Sequence, residues 1–189
     1  MTSASAKPAL WFDLPTEAGR FTLCPVKPDR DLPLIQRWMN DPDVARYWDL
    51  DGPPERTNDH VRAQIQSPHT QALVARLSGR AIGYWELYRA ADDRLAGYYA
   101  VEPDDLGVHL LIGEGDCRGI GLGGVLLRAL ADAVQREKPR RVVAEPDERN
   151  VASVRAFTTA GFAASGTLDL PEKRATLMIR PVRAGEPAA

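Results

Sequence analysis

The sequence predicts an α/β fold built on a mixed sheet, and three observations carry that expectation. Strand-like alternation and helix-like periodicity trade places along residues 21–179. A near-continuous apolar run at 107–112 leads, through a glycine-rich stretch, into the clearest amphipathic helix of the chain at 121–137. Two β-type runs at 71–77 and 80–88 flank Ser78-Gly79, the signature of a tight hairpin.

Taken in order, 21–26 reads as a first strand. A helix over 31–40 follows, with Leu34, Ile35, Trp38 and Met39 at helical spacing and Asp41-Pro42 as its stop. Asn58 is a suitable N-cap for a short helix ending near Gln66. After the hairpin, 89–105 reads as loop. Strand 107–112, helix 121–137, strand 141–145, helix 151–160 and two closing strands at 162–168 and 175–179 complete the order. That makes about seven strands and about four helices. Residues 1–19 read as a flexible arm with a docking aromatic pair at Trp11-Phe12, 20–181 as one domain, and 182–189 as a frayed tail.

A length of 189 residues suits a single domain, and 44% hydrophobic residues suffice for a sizeable core. The formal net charge of -2 gives no global field for nucleic acid or an anionic membrane. No apolar run approaches the ~20 residues of a membrane span, and the N-terminus lacks the pattern of a signal peptide. Cys24 and Cys117 form neither a disulfide framework nor a metal-ligand spacing, so no metal is expected and the cytoplasm is the expected compartment.

The join between strand 107–112 and helix 121–137 is the sharpest local feature. A helix start exposes unpaired N–H groups and a partial positive charge. Glycines at 119, 121, 123 and 124 would let a ligand oxygen approach that backbone, beside the cation of Arg118. No Gly-Lys-Ser/Thr follows, so this is not a P-loop, and the spacing is wrong for a dinucleotide fingerprint. On the glycines alone, an eased tight turn reads equally well.

Arg118-Gly119-Ile120-Gly121-Leu122-Gly123 resembles the Arg/Gln-x-x-Gly-x-Gly/Ala motif of the GCN5-related N-acetyltransferases (GNAT). Asn150-x-x-Ser153 and Ala160-Gly161-Phe162 resemble that family's next helix and its ending. The motifs cover 107–165 closely and the element order covers nearly the whole chain. The resemblance implies a sheet splayed at its cofactor-binding strands, with acetyl-CoA or another acyl-CoA as co-substrate. The pyrophosphate would rest on 118–123, the pantetheine beside Leu111 and Ile112, with Asn150 and Ser153 as further contacts. It also implies direct transfer from the thioester to an amine, and a monomer or homodimer.

His109 interrupts the apolar strand close to where the thioester is expected; a satisfied core histidine is the alternative. Asp147, after Glu145-Pro146, would meet His109 at the carboxyl end of the sheet if the two strands are parallel neighbours. The alternative there is a solvated turn residue. Many GNAT enzymes carry a tyrosine acid on the following helix, and the matching position here is Phe157, so that acid is missing. Cys117 has no histidine near it in sequence and is a weak candidate for a nucleophile.

The phrases 38–42, Tyr47-Trp48, 83–88, 107–113, Glu145-Pro146-Asp147 and 170–173 are similar to the acyltransferases of hydroxamate siderophore assembly. The resemblance implies a hydroxyornithine, hydroxylysine or hydroxycadaverine acceptor. His109 and Asp147 would be the catalytic pair, and Trp48, Glu86, Tyr88 and Lys173 would form the substrate mouth. Two alternatives stay open. One is an aminoglycoside 6'-N-acetyltransferase, for which Asp43, Asp49, Asp51, Asp92 and Asp93 would supply an acidic mouth. The other is a CoA-binding regulatory module without turnover.

Overall fold

A computed structural model describes residues 12–138 and 140–182. The proposed arm up to Trp11 and the tail from 183 lie outside the described residues. Within them, eight strands form one sheet in the order β1-β2-β3-β4-β5-β6-β8-β7. These are β1 (Phe12–Thr16), β2 (Gly19–Pro25), β3 (Thr70–Leu77), β4 (Arg80–Arg89), β5 (Leu106–Ile112), β6 (Val142–Ala144), β7 (Ala163–Asp169) and β8 (Arg174–Arg180). Five helices accompany them: α1 (Pro28–Met39), α2 (Pro42–Trp48), α3 (Pro54–Gln66), α4 (Leu122–Glu137) and α5 (Val151–Thr159).

One strand and one helix exceed the sequence reading, and each has a local cause. The stretch expected to be loose contains β1, which pairs with β2 from Phe12↔Leu23 to Thr16↔Gly19. Phe12 is buried there while Asp13 on the alternate face pairs with Arg20. Pro15 is tolerated because β1 is an edge strand. Pro42 ends α1 but also starts α2. Proline suits the first helical position, and Asp41 caps the new helix by accepting from the Asp43 N–H. The same preference starts α3 at Pro54, four residues before Asn58.

Strand alternation separates two cores. Leu73, Trp85 and Val108 point to the face covered by α4 and α5, where Leu126, Leu130 and Phe157 pack. Val74, Tyr84 and Leu111 point to the face covered by α1 and α3, against Ile35, Trp38 and Val61. The β3–β4 hairpin turns at Ser78 and Gly79, with φ of 48° and 87°, as a two-residue turn of this hand requires.

The break in the sheet positions the site. Strands β5 and β6 run parallel but pair only at Leu106↔Val142 and Gly107↔Val143, after which they part. Leu106 donates its N–H toward the β6 side, to Arg141, and Gly113 donates toward β4, to Ile82. By the alternation of a strand, the main-chain groups of Leu110 and Ile112 therefore face the opening. Leu111 turns its main chain to β4 and its side chain into the core, 4% exposed, so the main chain that edges the opening is that of its two neighbours.

Candidate active site

The glycine-rich loop divides its residues between two tasks. Gly119 and Gly121 have φ of 77° and 82°, and nothing lies within 4 Å of a Cβ built on either. Gly121 is the N-cap of α4 and no side chain caps that helix; the Gly124 N–H turns back to the Gly121 carbonyl at 3.1 Å, which leaves those of Leu122 and Gly123 for a ligand oxygen. Gly123 and Gly124 line the groove beside this loop and also face α5, and of the two it is Gly124 that packing requires to be bare. An added Cβ would stand 3.4 Å from Ala156 Cβ and 2.9 Å from Thr159 respectively, which is how closely α4 approaches α5. Two open glycines and an uncapped helix start fit a pyrophosphate.

Arg118 does not stand free beside them. Its guanidinium binds the Asp41 carboxylate and lies 3.5 Å from Asp43, tying the loop to the start of α2. Asn150 caps α5, accepting from the Ser153 N–H at 3.1 Å. A groove of about 540 Å³ runs from this loop past Leu110, Leu111 and Ile112, and Asn150 and Ser153 line it. Ile120, at the loop's tip, is 70% exposed.

A second hollow, about 810 Å³, adjoins the groove; Trp48, Leu110, Arg149, Asn150 and Ser153 line both. Its floor is a network of charged and polar side chains. In the β4–β5 register Glu86 lies opposite His109, and Tyr84 and Tyr88 share its face by the two-residue period. His109 Nδ1 stands 3.1 Å from Glu86 Oε2, and its Nε2 stands 2.5 Å from Glu145 Oε1. Tyr88 donates its hydroxyl to Glu145 Oε2 at 2.9 Å. Its ring covers Gly107, where a Cβ would fall 2.1 Å from the ring. Beyond Glu86, Oε1 takes the Tyr84 hydroxyl at 2.8 Å and meets His60 Nε2 at 2.7 Å. Lys173 Nζ lies 3.7 Å from Glu145 Oε1.

The network fixes its own protonation. Burial of His109 works against a charged ring, but the Glu145 charge and the hydrogen bonds to Glu145 and Glu86 outweigh it, raising the pKa to about 10. Burial likewise opposes charge on both carboxylates, yet His109, with His60 for Glu86 and Lys173 for Glu145, holds each at about 2. His109 is therefore an imidazolium between two carboxylates at neutral pH.

Most of the expected site residues line these two hollows, but several do different work there. Asp147 does not reach His109; its carboxylate is taken by Arg149, with Nε–Oδ1 at 2.9 Å and Nη2–Oδ2 at 2.7 Å. Glu86 and Tyr88, expected at the substrate mouth, are each 3% exposed and hold His109 from below. Trp48 stays at the mouth, edge-on to His109, His60 and Tyr84 at 5.8 to 6.4 Å. Phe157 lines the hollow and offers no proton, its ring edge-on to Phe162. Cys117 is 8% exposed, and burial together with Asp116 pushes its thiol pKa up, against a nucleophilic role.

Glu145, Tyr84 and His60 were not expected in these roles. Period two along Tyr84-Glu86-Tyr88 already signals a polar face on a buried strand, and Glu145 heads a phrase noted for Asp147. His60 carries no sequence signal, because its helix reaches the site only through the tertiary fold. No group of side chains among the described residues could hold a metal ion. No helix among them is long and apolar enough to cross a membrane.

The model of the acetyltransferase (GNAT) domain family matches residues 27–170. The lysine N-acyltransferase MbtK of Mycobacterium tuberculosis H37Rv is 33% identical, over 88% of this chain and 85% of its own. MbtK of Mycobacterium sp. strain MCS is 35% identical, over 89% and 70%. The N-hydroxyputrescine acetyltransferase of Acinetobacter baumannii is 30% identical, over 94% and 85%. Among solved structures, an uncharacterized Bacillus halodurans protein superposes with a TM-score of 0.86 at 30% identity, covering 92% of this chain and 91% of its own. The aminoglycoside acetyltransferase AAC(6')-Ib bound to coenzyme A superposes at 0.75, with 23% identity over 85% and 94%, a likeness of fold alone. The chain belongs to the GNAT acetyltransferase family, enzymes that take their acyl group from acyl-CoA.

Proposed function

We propose that this enzyme acylates the nitrogen of an N-hydroxylated alkylamine, of the hydroxyornithine, hydroxylysine or hydroxycadaverine type, to give a hydroxamate for siderophore assembly in the cytoplasm. The observation that carries the reading is the geometry of the His109 network, with Glu86 on one ring nitrogen and Glu145 on the other. An alkylammonium of pKa ~10.4 must lose a proton before it can attack, which calls for a free base beside it. Here both ring nitrogens of His109 are taken up by carboxylates, and Glu86 and Glu145 are each held by further partners, so no free base stands in the hollow. An N-hydroxyamine is far less basic, arrives largely unprotonated at neutral pH, and needs no such base. The relatives named for lysine, hydroxylysine, hydroxyputrescine and hydroxyornithine acyl transfer support the same class.

The acyl-CoA lies with its pyrophosphate at Gly119 and Gly121 and its thioester where groove and hollow meet, at Leu110 and Trp48. The acceptor enters the hollow past Trp48 and Lys173, and the acyl group passes directly to its nitrogen. Imidazolium His109 takes the place of the missing tyrosine as proton donor to the departing sulfur. Asp147, held by Arg149, orders the turn that leads into α5. The test is thiol release from acetyl- and succinyl-CoA with each hydroxylated amine, its parent amine, kanamycin and tobramycin. Hydroxylated amines should turn over fastest, and an aminoglycoside outrunning all of them would replace this reading.

A further inference from the structure

We propose that Glu145, rather than Asp147, is the carboxylate that works with His109, and that the two form a proton-transferring pair at the thioester. The proposal deepens the acyl-transfer reading above but does not depend on which amine is the acceptor.

Position is the first argument. Glu145 directly follows β6, just past the last β5–β6 pair at Gly107↔Val143, so its side chain reaches His109 across the opening between the strands. With 5% of its side chain exposed it is removed from bulk water. Oε1 meets His109 Nε2 at 2.5 Å and Oε2 takes the Tyr88 hydroxyl at 2.9 Å. Asp147 is just as buried, its side chain 5% exposed, but its partner is Arg149 and not His109. Its oxygens receive the Arg149 guanidinium and the Arg149 N–H, and Arg149 itself is 74% exposed. A carboxylate so engaged secures a turn.

The second argument is the pair's surroundings. Glu86 and Tyr88 face the ring from β4, Glu145 from beyond β6, and Lys173 from the β7–β8 turn, with His60 of α3 acting through Glu86. Two carboxylates, one on each ring nitrogen, favour a ring that starts the reaction charged. The Nε2 contact is the shorter of the two, 2.5 Å against 3.1 Å, so it is the proton on Nε2 that Glu145 shares.

The step balances as follows. The acceptor's nitrogen lone pair forms the N–C bond while the C–S bond breaks toward sulfur. As the sulfur departs, the Nε2–H turns from Glu145 Oε1 to the sulfur and the proton passes to it, releasing CoA thiol and leaving a neutral ring. The proton lost by the nitrogen goes to Glu145 and then to Nε2, which restores the carboxylate and the imidazolium. One proton has moved from nitrogen to sulfur and none is exchanged with solvent. His109 is the catalytic group, and Glu145 both holds and refills it.

Only His60, His69 and His109 contribute histidine signals, so His109 can be assigned by loss of its resonance in His109→Gln and titrated by NMR without substrate. The expected wild-type ring stays protonated beyond pH ~8. Glu145→Gln should lower the midpoint by about a unit or more, while Asp147→Asn leaves it in place. In turnover, Glu145→Gln should cost on the order of 10²-fold in kcat at unchanged acetyl-CoA Kd and draw the alkaline limb to lower pH. Glu145→Asp keeps the charge with a shorter reach. It should hold the midpoint up yet lose roughly tenfold in kcat, and it decides the matter if the glutamine variant fails to fold. A wild-type midpoint or wild-type kcat in Glu145→Gln, wild-type kcat in Glu145→Asp, or a midpoint moved by Asp147→Asn would overturn the pair. If no hydroxylated amine turns over, the titration still decides the pair, and the acceptor assignment falls alone.

Discussion

The two hollows of this enzyme lie side by side and are built from opposite materials. The groove for acyl-CoA is mainly backbone: open glycines at 119 and 121, an uncapped α4, and the main chain of β5 left free where β6 departs. The neighbouring hollow is mainly side chain, with partners drawn from α2, α3, β4, β5, the end of β6 and the β7–β8 turn. The difference matters for specificity. A backbone cradle recognises what every acyl-CoA shares, whereas a side-chain network can be retuned residue by residue for one acceptor.

Breaking each half should therefore have a different signature. The largest expected effect is on the backbone half. Gly121→Asp places a carboxylate where the pyrophosphate needs bare main chain, and acetyl-CoA binding should be lost in calorimetric titration of the folded variant. Unchanged affinity would put the pyrophosphate elsewhere. In the side-chain half, His109→Ala should lose ~10²- to 10⁴-fold in kcat while keeping its affinity for acetyl-CoA. A loss in acetyl-CoA affinity instead would mean the two hollows are not separable in this way.

A smaller effect is thermodynamic. The His109 pKa is raised in the folded state, so its contribution to stability is complete below the ordinary histidine value and is lost as pH rises toward about 10. Glu86 and Glu145 are depressed, so theirs is complete above the ordinary carboxylate range and is lost only as pH falls toward about 2. Between pH ~7 and ~9 only the histidine of this trio responds. Urea denaturation should show the wild type losing more stability over that interval than His109→Gln, and equal losses would mean the ring is not held charged. The smallest effect is at Cys117, buried with its thiol pKa raised. Cys117→Ala should keep most activity, and intact mass spectrometry should find no acylated protein; an acyl adduct on Cys117 would overturn direct transfer.

The same contrast decides what could be read from the sequence. The backbone half was legible because glycines and helix starts are local: Arg118 to Gly123 carry their meaning within six consecutive residues. Even there, packing is invisible in one dimension: only the fold shows that a Cβ on Gly124 would stand 2.9 Å from Thr159, so that this glycine sets the α4–α5 distance. His109 was legible as a polar break in an apolar strand, but its partner was not. Glu145 and Asp147 are two residues apart, and which one reaches the histidine depends on where β6 ends. Proline had two meanings as well: Pro42 both stops α1 and starts α2, and only the cap at Asp41 distinguishes them. His60 had no meaning at all until α3 was laid against the sheet.

The central claim is that the acceptor's nucleophile arrives already unprotonated, and one comparison tests it most directly. kcat/KM for a hydroxylated amine and for its parent amine should be measured with the same acyl-CoA from pH ~6.5 to ~9. The hydroxylated amine should lead by on the order of 10²-fold or more near pH 7, because little of the parent is free base and a site built for a hydroxyl rejects the analogue lacking it. The lead should narrow by about tenfold per pH unit as the parent approaches its own pKa of ~10.4. A parent amine that matches the hydroxylated one at pH 7, or a lead that stays flat across the range, would contradict it.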